Sequence, residues 1–553
     1  MGRSARAQWS ARERLSGSAP RVIIVGAGLG GLSTGCYGQM SGMETRIFEK
    51  HVLPGGCCTS WSRDGYIFDY CIEWLTGTAP GNNANQIWRE LGALNGKTVQ
   101  NFDMFNTVAG EDGRSVAFYN DPDRLERHLL RLSPVDAPVI RSFCRDLRRF
   151  ADVNLEPSLK PAPLQTAEER TAALRKTLPV QELLQRTVGT SMASFAARFQ
   201  DPLLRRALPF IFYQDHDFPL LPFLLHMAGA RRSNAGFPQG GSLGLARSIE
   251  ERYTALGGRI DYRARVERIL IEDDRAVGVE LRNGERHYAD HIVSACDGAA
   301  TMERLLDGRY SSPKVKELFK LVLDTSEVVH PGVVSVFVGY KGDVEPDVPH
   351  STTHLLSEAD SARLPGVMQN SLVVQLRSRY SGEVAPAGKS VIYCNYFSDY
   401  ASWKTLRRTD RRKYWERKRE VGEFVREFLE RCHPGIADRI EVVDVATPVT
   451  TERYTGNLHG SIIAWKSFTD ADSLLQGLIN EDRLRLPGLD GFSLAGQWFT
   501  GGSLIRVAVG GRFVTQYICE ELGLEFRAWE STDGEAWHPG KLGPLPQLDK
   551  SMT

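Results

Sequence analysis

No stretch of this 553-residue chain reaches the ~18 consecutive apolar residues that a membrane-spanning helix needs. The nearest, residues 208–230, is cut by Gln214-Asp215-His216-Asp217. An excess of one charge is also lacking. Lys+Arg and Asp+Glu both number 68, so the formal net charge is zero and the basic footprint of a nucleic-acid binder is missing. The nine cysteines are scattered, odd in number and form no Cys-x-x-Cys, which speaks against a disulfide framework and a zinc site and suits a reducing cytosol. Residues 1–20 carry Arg3, Arg6, Arg12 and Arg14 but no apolar core of a signal peptide, and are expected to form a disordered tail. No Ser/His/Asp or metal-ligand spacing stands out, so no metal is expected. The rest is ordinary globular composition, with 42% hydrophobic and 25% charged residues. At ~150 residues per domain the length allows three to four units.

What is present is a dinucleotide fingerprint. Arg21 to Val25 is a short β-branched run, as in a buried parallel strand. Gly26-Ala27-Gly28-Leu29-Gly30-Gly31 follows at once and fits Gly-x-Gly-x-x-Gly at 26, 28 and 31. A helix is expected over Leu32 to Met40, then a second strand over Thr45 to Glu49. Gly26 permits the tight turn, Gly28 lets backbone approach a pyrophosphate, and Gly31 lets helix and strand pack closely, with the helix N-terminus facing the anion. Glu49, followed by Lys50, would accept hydrogen bonds from ribose hydroxyls and oppose a 2′-phosphate. A Gly-rich structural turn in another α/β protein is the alternative.

Beyond Glu49 comes a second Gly-rich turn, Gly55-Gly56-Cys57-Cys58, then a hairpin pattern over Trp61 to Asp69 around Arg63-Asp64-Gly65. This resembles the extended FAD motif of the amine oxidase and phytoene desaturase superfamily. The Cys57-Cys58 pair and Gly65-Tyr66-x-Phe68-Asp69 look most like its carotenoid isomerase and retinol saturase branch. Cys71 stands where the family has Gly. The cysteines are either a reactive pair or small buried packing groups. Phe237-Pro238-Gln239-Gly240-Gly241-Ser242, a helix over Leu243 to Leu256, strands over Ile260 to Ile271 and Ala276 to Leu281, and a returning strand over Asp290 to Asp297 follow the family's order.

That resemblance implies an α/β fold. A Rossmann-like FAD-binding domain (21–120, 236–310 and 488–525; glutathione-reductase-2 type) would carry an inserted α+β substrate domain (121–235 and 311–487), with a tail over 526–553. It implies that Val266 offers backbone groups to adenine and that Gly496-Gln497 contacts phosphate or ribityl. A helix from Ser503 to Leu522 would point its positive N-terminus, near Arg506 and Val507, at the flavin. Arg506 replaces a small residue between the family's Pro and Gly. It would either reinforce that charge or turn to a surface carboxylate.

In the substrate half, Asp121-Pro122 opens a helix and proline-broken segments near 208–223 are dense in large apolar groups. They would form ordinary core or line an apolar tunnel. Strands over Val333 to Tyr340, Leu372 to Leu376 and Val391 to Tyr393 would floor that pocket. The basic run 407–419 is a solvated helix face or a contact for anionic headgroups. Glu73, Asp215, His216 and Asp217 are the acid/base candidates, against core and surface-loop alternatives. The expected activity is desaturation, saturation or isomerisation of a polyene, isoprenoid or lipid-like substrate on non-covalent FAD. Quinone or oxygen would accept electrons. The expected location is cytoplasmic, with peripheral membrane contact left open. A flavin amine oxidase and a non-enzymatic prenyl-binding protein of the Rab GDP-dissociation inhibitor type are the alternatives.

Overall fold

The β-branched run Arg21–Val25 is the central strand of a five-stranded parallel sheet. In a computed structural model, which describes residues 19–153, 155–212, 216–311, 313–324, 328–343, 347–466 and 484–528, its neighbours are Glu44–Phe48 and His291–Ser294, with Arg259–Asp261 and Phe492–Leu494 at the edges. Helix Leu29–Met40 packs on the central strand and the antiparallel strand Arg275–Leu281 packs against its neighbour His291–Ser294, so Val22, Ile23 and Ile24 are buried and the sequence shows no alternation there. Helix Leu29–Met40 crosses from the first strand to the second. Helices Gly241–Ala255 and Leu504–Leu522 flank it, so almost every one of its positions is buried.

Close backbone packing sets this geometry. A Cβ on Gly31 would lie 2.0 Å from the Gly26 carbonyl oxygen, so only glycine lets the helix start this near the strand. Ser33 Oγ donates to the Ala508 carbonyl at 2.7 Å, joining the first helix to the last. Farther along the same interface, Tyr37 OH donates to Glu90 Oε2 at 2.5 Å, and Arg512 Nε donates to the same oxygen at 3.2 Å. Glu90 and Arg512 are both buried.

The second sheet has seven strands, in the order Ile440–Ala446, Gly332–Lys341, Lys389–Ser398, Ser371–Leu376, Ser351–Leu355, Met104–Ala109 and Ser115–Tyr119. One face carries Val334, Val336, Val338, Leu372, Val374, Leu376, Ile392 and Cys394, packed on helix Arg411–Cys432 through Val421, Phe424, Val425 and Leu429. Beside its far edge, helices Pro122–Leu132, Ala137–Ala151 and Leu220–Arg231 enclose an aromatic core that includes Phe118, Phe143, Phe195 and Phe223. Asp121 caps the first of them, its Oδ1 accepting from the Asp123 and Arg124 amides.

Three expectations change. Strands Met104–Ala109 and Ser115–Tyr119, grouped by sequence with the cofactor domain, pair into the seven-stranded sheet, the first parallel to Ser351–Leu355. The stretch 260–271 is two elements, Arg259–Asp261 in the parallel sheet and Val266–Glu272 in an antiparallel meander with Arg275–Leu281 and Arg286–Tyr288. The chain is still anchored at 526–528. Phe526 packs on Tyr37 and under Arg512, and the Arg527 amide donates to Ser41 Oγ. The remainder of the expected C-terminal tail, the N-terminal tail to residue 18, and Asp215 lie outside the described residues. Among the described residues no helix is long and apolar enough to cross a membrane.

Removing one partner of the buried Glu90–Arg512 pair strands the other charge. Glu90→Ala is expected to cost ~3–5 kcal/mol, measured as a lower denaturant midpoint of the flavin-free protein. Glu90→Leu with Arg512→Met should recover most of that loss, because neither charge is then buried alone.

Candidate cofactor and substrate site

A single cavity of about 850 Å³ runs from the dinucleotide fingerprint to the seven-stranded sheet. At one end it meets the N-terminus of helix Leu29–Met40. This helix has no side-chain cap and no acid in its first turn, so its leading N–H groups are left for a ligand. A Cβ placed on Gly28 would meet no atom within 4 Å. The Gly55 amide donates to the Ala27 carbonyl at 2.8 Å, which draws the second Gly-rich turn alongside the first.

Glu49 ends the second strand and lines the cavity. Its Oε2 accepts from the Ala27 amide at 2.7 Å and its Oε1 from the His51 amide at 2.8 Å. These bonds fix the carboxylate while each oxygen keeps a free lone pair for a ribose hydroxyl. Burial pushes its pKa up, and the two amides pull it back. Lys50, Arg265 and Arg304 line the same end. Burial lowers the Lys50 pKa, while the Glu49 charge opposes that shift. Val266 sits at the wall with its carbonyl accepting from Arg304 at 3.0 Å. Gly496, Gln497, Ser503, Leu504, Ile505 and Val507 close the cavity from the C-terminal side, and helix Leu504–Leu522 also begins without a side-chain cap. Two uncapped helix N-termini, three basic side chains and a backbone-held carboxylate form a donor set that fits a dinucleotide with a pyrophosphate and a free ribose.

Between the two ends lie Cys57, Cys58, Cys71 and Asp297. Burial pushes the Cys57 thiol up to about 12, and Asn457 Nδ2 donates to its sulfur at 3.1 Å. Cys58 is buried, and its thiol donates to the Ser242 carbonyl at 3.2 Å. Cys57, in contrast, is half-buried and lines the cavity beside the second Gly-rich turn. Burial raises Asp297 to about 6, even though its oxygens accept from the Ala300 and Leu458 amides.

The far end is a chamber walled by Glu73, Trp74, Phe105, Phe210, His226 and the second sheet. Trp74 and Phe105 lie 4.4 and 4.5 Å, centroid to centroid, from the His226 ring. Burial holds His226 down at about 3, so it is neutral. A bulge in strand Met104–Ala109 turns neighbouring residues Phe105 and Asn106 to the same wall. Burial raises the Glu73 carboxyl above its ordinary range, while the charge of Arg377 and a hydrogen bond from Gln375 oppose that shift. Arg377 is itself buried. Its Nη1 donates to the Ile72 carbonyl at 2.7 Å, and its guanidinium lies 4.9 Å from the Tyr393 ring centroid and 5.0 Å from that of Tyr380.

The structure brings together Gly26, Gly28, Gly30, Glu49, Lys50, Gly55, Gly56, Cys57, Val266, Gly496, Gln497, Val507 and Glu73 around this cavity. Gly31 stands behind it as the packing glycine. It does not bring Arg506 or His216. Arg506 is exposed, with its guanidinium folded over Gly501, because one step along the helix from Ile505 rotates a side chain ~100° away from the cavity. It takes the outward of its two sequence readings. His216 is exposed beside Phe210, and Asp217 is exposed with it, as the surface-loop reading had it. Sequence reasoning missed Asp297, Asn457, Arg304, Asn106, Gln375 and His226. Only Gln375 left a clear sign, as an amide inside the apolar strand Ser371–Leu376.

Comparison with known proteins agrees with this geometry. The chain is 24% identical over 520 residues to a chloroplastic prolycopene isomerase of Daucus carota, covering 91% of this chain and 80% of that protein. It is 24% identical over 478 residues to an all-trans-retinol 13,14-reductase of Danio rerio, covering 80% and 77%. It is 26% identical over 461 residues to a neurosporene-forming phytoene desaturase of Cereibacter sphaeroides, covering 79% and 83%. Among solved structures, cyclohexylamine oxidase from Brevibacterium oxydans shares the fold with a TM-score of 0.55 at 15% identity, covering 91% of this chain and all of that one. Residues 29–509 match the family of flavin-containing amine oxidoreductases. The chain belongs to that family and is an FAD-dependent oxidoreductase.

Proposed function

We propose that the enzyme acts on carbon–carbon bonds of an extended, unsaturated isoprenoid or polyene. One observation carries this reading. The cofactor end and the aromatic-walled chamber belong to one continuous cavity, so a long substrate would lie with its middle at the flavin and its end between Trp74, Phe105 and Phe210. The relatives named for prolycopene, phytoene and retinol support the substrate class.

Gly28, Glu49, Gly55, Gly56 and Gln497 would hold FAD without a covalent bond. Bound FAD supplies hydride transfer at N5. The chain supplies position and protons. Aromatic faces exclude water from the chamber and fix the chain's orientation. Glu73, held above its usual range, keeps a carboxyl proton to higher pH and gives or takes it at a substrate carbon. Whether the cycle is redox-neutral or ends on quinone or oxygen is read from the products. Anaerobic mixing of the holoenzyme with a set of polyenes tests the function. Bleaching of the 450 nm band, or formation of an isomer without bleaching, supports it. Oxidation of amines with no response to any polyene overturns it in favour of the amine oxidase reading.

Three outcomes follow for the site. Glu49→Arg should weaken FAD binding at least about tenfold, seen as lower flavin occupancy after purification and a higher Kd on reconstitution, since a charge-assisted acceptor is replaced by donors. Glu73→Gln should retain FAD and lower turnover by roughly 10²–10⁴-fold. It should also flatten the alkaline decline in rate that appears as the wild-type carboxyl ionises. Arg506→Ala should leave both FAD content and midpoint potential unchanged, because this charge points away from the flavin edge. A redox titration against a dye standard measures that.

A further inference from the structure

Cys58 and Cys71 both line the cavity beside the second Gly-rich turn, and the hairpin between them sets them opposite each other. Its strands pair Arg63 with Tyr66, Trp61 with Phe68 and Ser60 with Asp69. The Tyr70 amide donates to the Thr59 carbonyl at 3.1 Å, so the same register holds one step past the strands. Continued by one more step, it places Cys58 opposite Cys71. Side chains alternate along a strand, so this pair falls on the face of Ser60 and Asp69, whose side chains meet at 3.0 Å. Facing residues next to a hydrogen-bonded pair have Cα atoms about 4.5 Å apart, which a disulfide can span.

The contacts agree with that register. The Cys58 thiol donates to the Ser242 carbonyl at 3.2 Å, and the amide of Ile72, next to Cys71, donates to Ser242 Oγ at 2.8 Å. The Cys58 and Cys71 thiols share a hydrogen bond, and that contact and burial together push the Cys58 pKa up. Cys57 turns elsewhere, its sulfur accepting from Asn457 Nδ2. We infer that Cys58 and Cys71 are an oxidation site, a reversible dithiol–disulfide couple whose disulfide locks the second Gly-rich turn over the cofactor.

The co-reactant is a hydroperoxide. Cys71 is half-buried at the cavity wall, whereas Cys58 is buried, so Cys71 reacts first. Its sulfur bonds to one peroxide oxygen as the O–O bond breaks. The other oxygen leaves with the thiol proton, and a sulfenic acid remains. The Cys58 thiol then attacks that sulfur. The S–S bond forms, the S–O bond breaks, and the hydroxyl departs as water with the Cys58 proton. Each thiol gives up one electron, and the peroxide takes both. A dithiol reductant reverses the step by exchange. The Gly55 amide bonds to Ala27 and the Cys58 amide to Gly55, so the turn is otherwise held by hydrogen bonds. A covalent tie at Cys58 removes the outward swing of Gly55 and Gly56 that would let FAD leave. The couple is independent of which substrate the enzyme takes.

The test uses FAD-loaded enzyme reduced with dithiothreitol, freed of it, exposed to hydrogen peroxide, alkylated and digested with trypsin. Cleavage after Lys50, Arg63 and Arg89 puts Cys58 and Cys71 in different peptides. Mass spectrometry should find those peptides joined, with fragment ions placing the link at Cys58 rather than Cys57, and dithiothreitol should separate them. Release of FAD into flavin-free buffer, followed by its fluorescence, should be at least about threefold slower from the oxidised enzyme, because a preformed turn is held in its bound shape. Cys71→Ser should release FAD at one rate with or without peroxide. Peroxide that leaves both thiols free, stops at a sulfinic acid on Cys71 or links Cys57 instead overturns the inference. A Cys58–Cys71 link with unchanged or faster FAD release overturns the lock. The wild-type enzyme alone decides both points, whether or not the variant folds.

Discussion

The constraint on which the site depends is how closely backbones meet around the first Gly-rich turn. Gly31 lets the helix start against the Gly26 carbonyl, and a Cβ on Gly30 would lie 2.9 Å from the Gly496 amide nitrogen. The second turn closes on the same place through the Gly55–Ala27 hydrogen bond. Segments from positions 26, 55 and 496 thus converge with no side chain between them. A single bulky residue at any of these points would open the gap and scatter the N–H groups that define the anion site. The buried Tyr37–Glu90–Arg512 cluster then locks the first and last helices of this arrangement at a distance.

Much of this convergence was legible in the sequence because glycine spacing, a β-branched run and an acid at the end of the next strand are local signals. Helices capped by Asp121-Pro122, and the hairpin with its turn at Asp64-Gly65, were legible for the same reason. Asp64 and Gly65 both have positive φ, as a tight hairpin turn requires. The long-range facts were not. Nothing local to Met104–Ala109 says that it pairs with Ser351–Leu355, almost 250 positions away. The direction of Arg506 depends on one residue of helical rotation. That lies within the uncertainty of any helix start read from sequence.

The strands of the second sheet show how pattern can be read one level further. Alternation is present in Ser371–Leu376 and Lys389–Ser398, but both faces are buried, so apolar residues fill most positions and the polar ones look like exceptions. The exceptions fall on the face that looks into the cavity. Gln375 lies opposite Tyr393, and Asn395 opposite Val373, and all four line the chamber. In a core sheet each isolated amide would be costly, so its presence marks a surface that meets something other than protein.

The segment that carries Glu73 is held from both domains, and this explains how a half-buried carboxyl can be held in place at the cavity wall. Ser242, at the start of helix Gly241–Ala255, donates through its amide and its hydroxyl to Asp69, each at 2.6 Å. The same hydroxyl accepts from the Ile72 amide at 2.8 Å. From the other side Arg377 grips the Ile72 carbonyl. Residues 69–72 are therefore fixed between the cofactor-side helix and the second sheet, and Glu73 follows at the end of that clamp. Arg377 needs its partners in turn. Buried against Tyr380 and Tyr393, it would be an unbalanced charge without the carboxylate of Glu73. When Glu73 takes a proton, that balance is lost. Burial raises the Glu73 carboxyl, and the Arg377 charge and the Gln375 hydrogen bond oppose that rise.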